Sequence, residues 1–156
     1  MKQKSACAET THIVMSEDIN QLGNLHGGTL MQWADIAGAV AATRHTRCTV
    51  TTAALDSMDF KHPVPLGAIV TLQAYVTWTG NTSLEVRVDV YSEKVTSDEK
   101  KLTNTAFLVF VALGYDGKPK KVQPFIPQTE QEKVEYLRAQ RRRTERLRRR
   151  EQTENV

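Results

Sequence analysis

The sequence predicts an α+β domain: one long, almost wholly apolar helix wrapped by an antiparallel sheet of about five strands, with a second, basic helix at the C-terminus. Two observations carry this reading. Thr29 to Arg44, TLMQWADIAGAVAATR, places Leu30, Trp33, Ala34, Ala37 and Ala41 at three- and four-residue spacing. The remaining apolar segments repeat every second residue instead, in the order strand, helix, then four strands, and a sheet around the helix accounts for apolar residues on nearly all its sides.

The elements follow in order along the 156 residues, a length suited to one core. Residues 1–9 are expected to be flexible, residues 10–127 to form the domain, and residues 128–156 to form a basic helix and tail. Thr10 to Ser16 suits a short strand. The second half of the central helix is Ala and Gly, so neighbouring backbone can approach closely, and nearly complete burial is expected. Thr49 to Phe60 supplies the next strand, and His62-Pro63-Val64-Pro65-Leu66-Gly67 breaks the chain after it. Val70, Leu72, Ala74, Val76 and Trp78 then alternate with Thr71, Gln73, Tyr75, Thr77 and Thr79, one face to pack and one for solvent or a partner. Gly80-Asn81-Thr82 turns this strand into a second with Leu84, Val86, Val88 and Val90 inward. Leu102 to Leu113 is apolar on both faces in its second half and is expected centrally. From about Thr129 runs a polar helix with Val134, Leu137 and Leu147 as its sparse apolar contacts.

Composition excludes several classes. Hydrophobic residues at 40% and charged residues at 25% do not fit a disordered chain. No stretch of eighteen apolar residues or signal-like N-terminus is present, which predicts a soluble, cytoplasmic chain without membrane contact. Cys7 and Cys48, with no CxxC pair and no His-rich spacing, are expected to be free thiols, with no metal bound. Asn81-Thr82-Ser83 matches a glycosylation acceptor but reads as a turn. The net charge of +3 conceals eight arginines between Arg138 and Arg150, read as a solvated or frayed helix end. Nucleic acid is not the expected partner, although polyanions such as coenzyme phosphates remain candidates.

Chemistry concentrates at the start of the central helix. Gly23-Asn24-Leu25-His26-Gly27-Gly28-Thr29 precedes it directly, so unpaired amides of a helix N-terminus, beside two glycines that admit close approach, face whatever lies there. Such amides can stabilise the oxyanion of acyl transfer. Asp35 adds a carboxylate midway along an apolar helix, costly there unless paired or used. Gly27 and Asp35 are eight residues apart, roughly 12 Å on a helix. Both cannot touch one carbonyl carbon, so a shared reaction requires the carboxylate of a second copy, and a dimer becomes obligatory. Asp56 and Asp59 are expected to pair across subunits or with the His62–Gly67 turn, and Cys48 has no histidine in fixed register to make it a nucleophile.

The runs GNLHGGTLMQWADIAGAVAATRH, VTTAALDSMDFKHPVPLG and TGNTSLEV resemble the acyl-CoA thioesterases of the hotdog superfamily over roughly residues 10 to 130. The resemblance implies a hotdog fold and hydrolysis of acyl-CoA to free fatty acid and coenzyme A, with no cofactor beyond the coenzyme A of the substrate. It implies Asp35 as general base or nucleophile, Gly27 and Gly28 amides on the thioester carbonyl, and Asn24 orienting water or substrate. Thr82 and Ser83 match a hairpin near the pantetheine arm, Arg44 and Lys61 are candidates for the coenzyme phosphates, and His26 shapes the pocket. Assembly as a trimer of dimers is implied as well. A hydroxyacyl-thioester dehydratase of the same fold, or a non-catalytic module binding acyl-CoA or polyanions through its basic tail, are the alternatives.

Overall fold

The computed structural model describes residues 7–155. Its elements are β1 (Cys7–Ile13), a one-turn 3-10 helix (Ser16–Asp18), α1 (Gly27–Thr46), β2 (Thr49–Met58), β3 (Ile69–Thr79), β4 (Ser83–Glu93), β5 (Lys101–Leu113) and α2 (Glu130–Glu154). The strands form one antiparallel sheet in the order β1-β3-β4-β5-β2. The expected strand order along the chain holds. β1 reaches back to Cys7, three residues before the predicted start, and residues 1–6 of the expected flexible segment lie outside the described residues. β4 rather than β5 takes the middle of the sheet, although β5 is paired on both sides.

The period-two residues set the inner face. Leu72, Ala74 and Val76 of β3 register with Val90, Val88 and Val86 of β4, which register with Asn104, Ala106 and Leu108 of β5. Against them lie Leu30, Ala34, Ala37, Gly38, Ala41 and Ala42 of α1, all buried. A side chain at Gly38 would begin 3.1 Å from the Phe110 ring, tighter than such contacts normally are, so the small-residue stripe is what lets the helix settle. His12 of β1 stacks on Trp33 of α1 with centroids 4.1 Å apart, closing one flank. After β5 the chain recrosses the helix end, where His45 Nε2–H donates to the Gln123 carbonyl at 2.7 Å.

Burial of α1 is not complete in the single chain. Met31, Ile36 and Val40 are 43%, 52% and 36% exposed along its outer side, because the sheet curls round only one side of the helix. The apolar character on that side thus belongs to a surface the chain itself does not cover.

α2 departs furthest from expectation. Val134, Leu137 and Leu147, predicted to be its apolar contacts, are all exposed. Its inward side is instead Glu135, Ala139, Arg142 and Arg146, laid on the polar outer face of the sheet. Arg142 grips Glu85 of β4 through two hydrogen bonds of 3.0 and 2.8 Å and lies 3.7 Å above the Phe107 ring. Glu85, 1% exposed, also accepts from Thr77 Oγ1 at 2.6 Å. Arg87 bridges Asp89 and Glu135 at 2.9 and 3.1 Å, and Arg146 meets Asp56 of β2 at 2.5 Å. Hence Asp56 pairs with α2 and not with the His62–Gly67 turn; burial pushes its carboxyl up, with the Arg146 charge opposing. The arginine run therefore divides: Arg142 and Arg146 are clamped, while Arg148 and Arg149 stay exposed to solvent beside Glu145, on a helix that runs unbroken to Glu154. The ionic face was hidden in the sequence because its partners come from the outer face of the distant strands β4 and β2. Thr129 and Glu132 close the start of α2 with a capping box.

A buried ion pair that loses one partner strands a charge, so Arg142→Ala is expected to lower unfolding free energy by about 3 kcal/mol. Leu137→Ala on the open side is expected to change it by less than about 0.5 kcal/mol. Chemical denaturation of both variants checks the pair; the reverse ranking would mean that α2 is held by its apolar residues after all.

Candidate active site

The approach to α1 is a braced turn. Asn20 Oδ1 accepts from the Leu22 and Asn24 amides at 2.9 and 3.3 Å, and the Asn20 amide donates to the Asn24 carbonyl at 2.9 Å. Gly23 adopts φ +78° within it, a conformation that side chains disfavour. The Leu25 amide donates to the Val64 carbonyl at 2.6 Å and the Leu66 amide to the Gly23 carbonyl at 3.2 Å, fastening the turn to the loop after β2. Gly27 and Gly28 then open the helix, as the glycine pair predicted, two residues earlier than the periodicity began.

The two glycine amides are not equivalent. His26 is the N-cap of α1, and its Nδ1 accepts from the Gly28 amide at 3.2 Å, which requires the ring proton on Nε2. The Gly27 amide has no acceptor among the described residues, and Phe60 lies beside it, where a Cβ would come 3.5 Å from the ring. Gly27 thus presents the free donor expected at this helix start, and His26 occupies the other.

Two turns further, Asp35 is half-buried on the side of α1 that faces β2. Thr52 Oγ1 donates to Asp35 Oδ1 at 2.6 Å, a short charge-assisted bond. It orients the carboxylate and leaves Oδ2 without a donor among the described residues. The carboxylate is neither sunk in the core nor loose in solvent; it sits at the seam between helix and edge strand. Because Gly27 and Asp35 share one continuous helix, they stand about 12 Å apart, as the spacing required.

The other predicted residues are spread out. Asn24 lies in the braced turn, its backbone paired with Asn20 and bridged to Pro65. Lys61 follows Phe60, its amide donating to the Thr103 carbonyl at 3.3 Å. Arg44 is seventeen residues beyond Gly27, about 26 Å along the helix, with Nη1 on the Cys7 carbonyl at 2.5 Å. One chain does not bring Arg44 and Lys61 together. Thr82 and Ser83 form the β3–β4 turn, level with Val111 and Thr51 in the sheet, whereas Lys61 is level with Thr103, roughly 26 Å away at 3.3 Å per strand residue. Asp59 contributes its carbonyl, accepting from Asn104 Nδ2 at 2.6 Å. Among the described residues no three His, Cys, Asp or Glu side chains converge as a metal would need.

Sequence reasoning missed Thr52 and Asn20. Thr52 is one of several threonines on an exposed strand, and nothing local distinguishes it from Thr49 or Thr51; its bond to Asp35 exists only once β2 lies beside α1. Asn20 was legible in principle, since an asparagine three residues before a glycine is a common turn signal.

A family profile described as the Thioesterase superfamily matches residues 22–98. An uncharacterized acyl-CoA thioester hydrolase of Bacillus subtilis is 42% identical over 78% of this chain and 71% of its own. The chain belongs to the hotdog-fold acyl-CoA thioesterase family. It spans 29% of the cytosolic acyl coenzyme A thioester hydrolase of Homo sapiens, to which it is 38% identical over 67% of its own length. Among solved structures, an acyl-CoA hydrolase of Staphylococcus aureus, determined with butyryl coenzyme A, coenzyme A and coenzyme A disulfide, superposes with a TM-score of 0.90 at 33% identity over 97% of this chain and 92% of that one. That enzyme has also been solved with alanine replacing an asparagine, an aspartate fifteen residues later and a threonine seventeen residues further on. A hexameric acyl-CoA thioesterase superposes at 0.88, 39% identical over 93% of both chains. The hotdog fold expected from the resemblance is thus the fold observed.

An N-cap hydrogen bond contributes about 1 kcal/mol. His26→Ala is therefore expected to lower stability by that amount and His26→Asp to restore it, read from thermal unfolding; equal stability of all three would remove His26 from the cap.

Proposed function

We propose that this chain hydrolyses acyl-CoA to a free fatty acid and coenzyme A at a site shared by two copies, and the bond between Asp35 and Thr52 is the observation that carries the reading. A water held by Asp35 Oδ2 attacks the thioester carbonyl while the carboxylate takes its proton. The Gly27 amide of the second copy stabilises the oxyanion. Collapse breaks the carbon–sulfur bond, and the coenzyme A thiolate leaves and is protonated. Gly28 joins as a second donor when its His26 bond is exchanged for the oxyanion.

Two features support the sharing. Gly27 and Asp35 are too far apart within one chain, and β2 ends the sheet with an unpaired backbone edge. An antiparallel pairing of β2 with its own copy runs the Phe60 end of each strand toward the Thr49 end of the other, carrying each helix start toward the neighbour's Thr52 and Asp35. The exposed apolar side of α1 at Met31, Ile36 and Val40 supplies further surface for assembly, and the hexameric relative supports a trimer of dimers. Asn20, Asp35 and Thr52 repeat the fifteen- and seventeen-residue spacing of the positions replaced by alanine in the Staphylococcus aureus enzyme. We therefore place the orienting role on Asn20, which shapes the turn before Gly27, ahead of Asn24. Free Cys7 and Cys48 suit the reducing cytoplasm.

Asp35→Asn is expected to reduce kcat by about 10² to 10⁴-fold and Thr52→Val by less, with Thr52→Ser near wild type, measured by thiol release from acyl-CoA. Undiminished turnover by Asp35→Asn would take the carboxylate out of the mechanism. Co-expression of Asp35→Ala with Gly27→Val, each inactive alone, is expected to regain about a quarter of wild-type activity, since half of the random dimers carry one intact site. Failure to regain any would place the whole site in one chain.

A further inference from the structure

Asn104 stands where the inner face of the sheet is otherwise apolar. It registers with Val90, which registers with Leu72, and it is only 1% exposed. Its Oδ1 is buried and has no hydrogen-bond partner among the described residues. A buried amide left half-satisfied is destabilising, and an apolar residue in its place would carry no such penalty. What the asparagine does secure is one bond: Nδ2 donates to the Asp59 carbonyl at 2.6 Å.

That bond falls where β2 has just ended. Met58 is the last residue of the strand, opposite Ala106, and the segment beyond it is held to β5 by two ties. One is Asn104 on Asp59, and the other is the Lys61 amide on the Thr103 carbonyl at 3.3 Å. Phe60 is caught between them. Its ring leans on the start of α1, with Cε1 and Cζ 3.5 Å from the position that a Gly27 Cβ would take. The ring is nevertheless 57% exposed, a large apolar surface beside the amide left without an acceptor. An amide in open water is hydrated, and that water competes with an oxyanion. An apolar wall excludes the water and lowers the local dielectric, which strengthens the donor.

We infer that Phe60 is the wall of the Gly27 donor site, in contact with the thioester carbonyl, and that Asn104 is the positioning residue that hangs it there through Asp59. The inference rests on the hydrolase reading of Gly27 and deepens it. It also accounts for the orphaned Oδ1, since the side chain is kept for its donor and not for its acceptor. Asn104 is buried and touches no substrate; it acts through Phe60.

The experiment takes Phe60→Ala, Asn104→Val and the double variant, each checked first by thermal unfolding. All are expected to fold, with Asn104→Val no less stable than wild type, because the half-satisfied amide is gone and the freed carbonyl belongs to the exposed Asp59. In each single variant kcat for acyl-CoA is expected to fall about tenfold or more, with KM changed by less than about threefold. The double variant is expected to be no slower than the slower single one, since both changes remove the same wall. Losses that multiply, or Asn104→Val at wild-type kcat, overturn the assignment. So does failure of both Asn104→Val and the smaller Asn104→Ser to fold, which would make the asparagine a folding residue. A second readout is binding of the ketone analogue of acyl-CoA, in which a methylene group replaces the thioester sulfur, beside binding of coenzyme A. Both single variants are expected to bind the analogue about threefold or more weakly and coenzyme A as wild type does. Unchanged analogue binding overturns the wall whether or not the wild type turns over. Loss of analogue binding in the variants, with no thiol release by the wild type, would support the wall and count against hydrolysis alone.

Discussion

The close seating of α1 against the inner face of the sheet is the constraint on which the rest depends. Phe110 meets the helix at Gly38, where a side chain would crowd the ring at 3.1 Å, and Ala34, Ala37, Ala41 and Ala42 repeat the same thin profile along the contact. A helix brought this near leaves no room for a carboxylate beneath it. Asp35 is therefore carried to the margin, where β2 can offer Thr52. The same seating fixes where the helix starts, so the Gly27 amide emerges beside Phe60 and not in the core.

The two faces of the sheet are held by different physics. The inner face is apolar and dry, and its stabilisation scales with the area removed from water. The outer face is a lattice of ions, in which Glu85, Arg87 and Asp89 are paired with Arg142, Tyr75, Thr77 and one another, and Glu135 joins through Oε1 while its buried Oε2 has no hydrogen-bond partner among the described residues. Such a lattice adds little net stability over an apolar contact but tolerates few alternative registers, because each misplaced charge would be buried alone. That gives α2, a helix with hardly any inward apolar residue, a unique seat. It also uses the arginines nearest the sheet as structural groups, which lowers the standing of the C-terminal helix as a polyanion-binding arm.

The edge strand joins these themes to function. β2 contributes Thr52 to the carboxylate, Asp56 to the α2 clamp and an open backbone edge to assembly. A strand with those three duties cannot be apolar on alternate residues, and its pattern is correspondingly weak. The side of α1 left uncovered by the curled sheet lies next to that edge, so catalysis and association draw on one contiguous surface in this reading.

The helix, the four following strands and the glycine-led turn were legible in the residues, because period, turn chemistry and helix start signals are local properties of the chain. So was Asp35, since a charge in an apolar helix stands out, and so was the distance that separates it from Gly27, which helix geometry sets without reference to any fold. Tertiary structure decided what depends on residues far apart in sequence: that Thr52 clasps Asp35, that the Val64 carbonyl fastens the turn at Leu25, and that α2 turns its charges inward. The physical reason is the same in each case. A hydrogen bond or ion pair is specified by two partners, and while the sequence displays both, only the folded sheet brings them within 3 Å of each other.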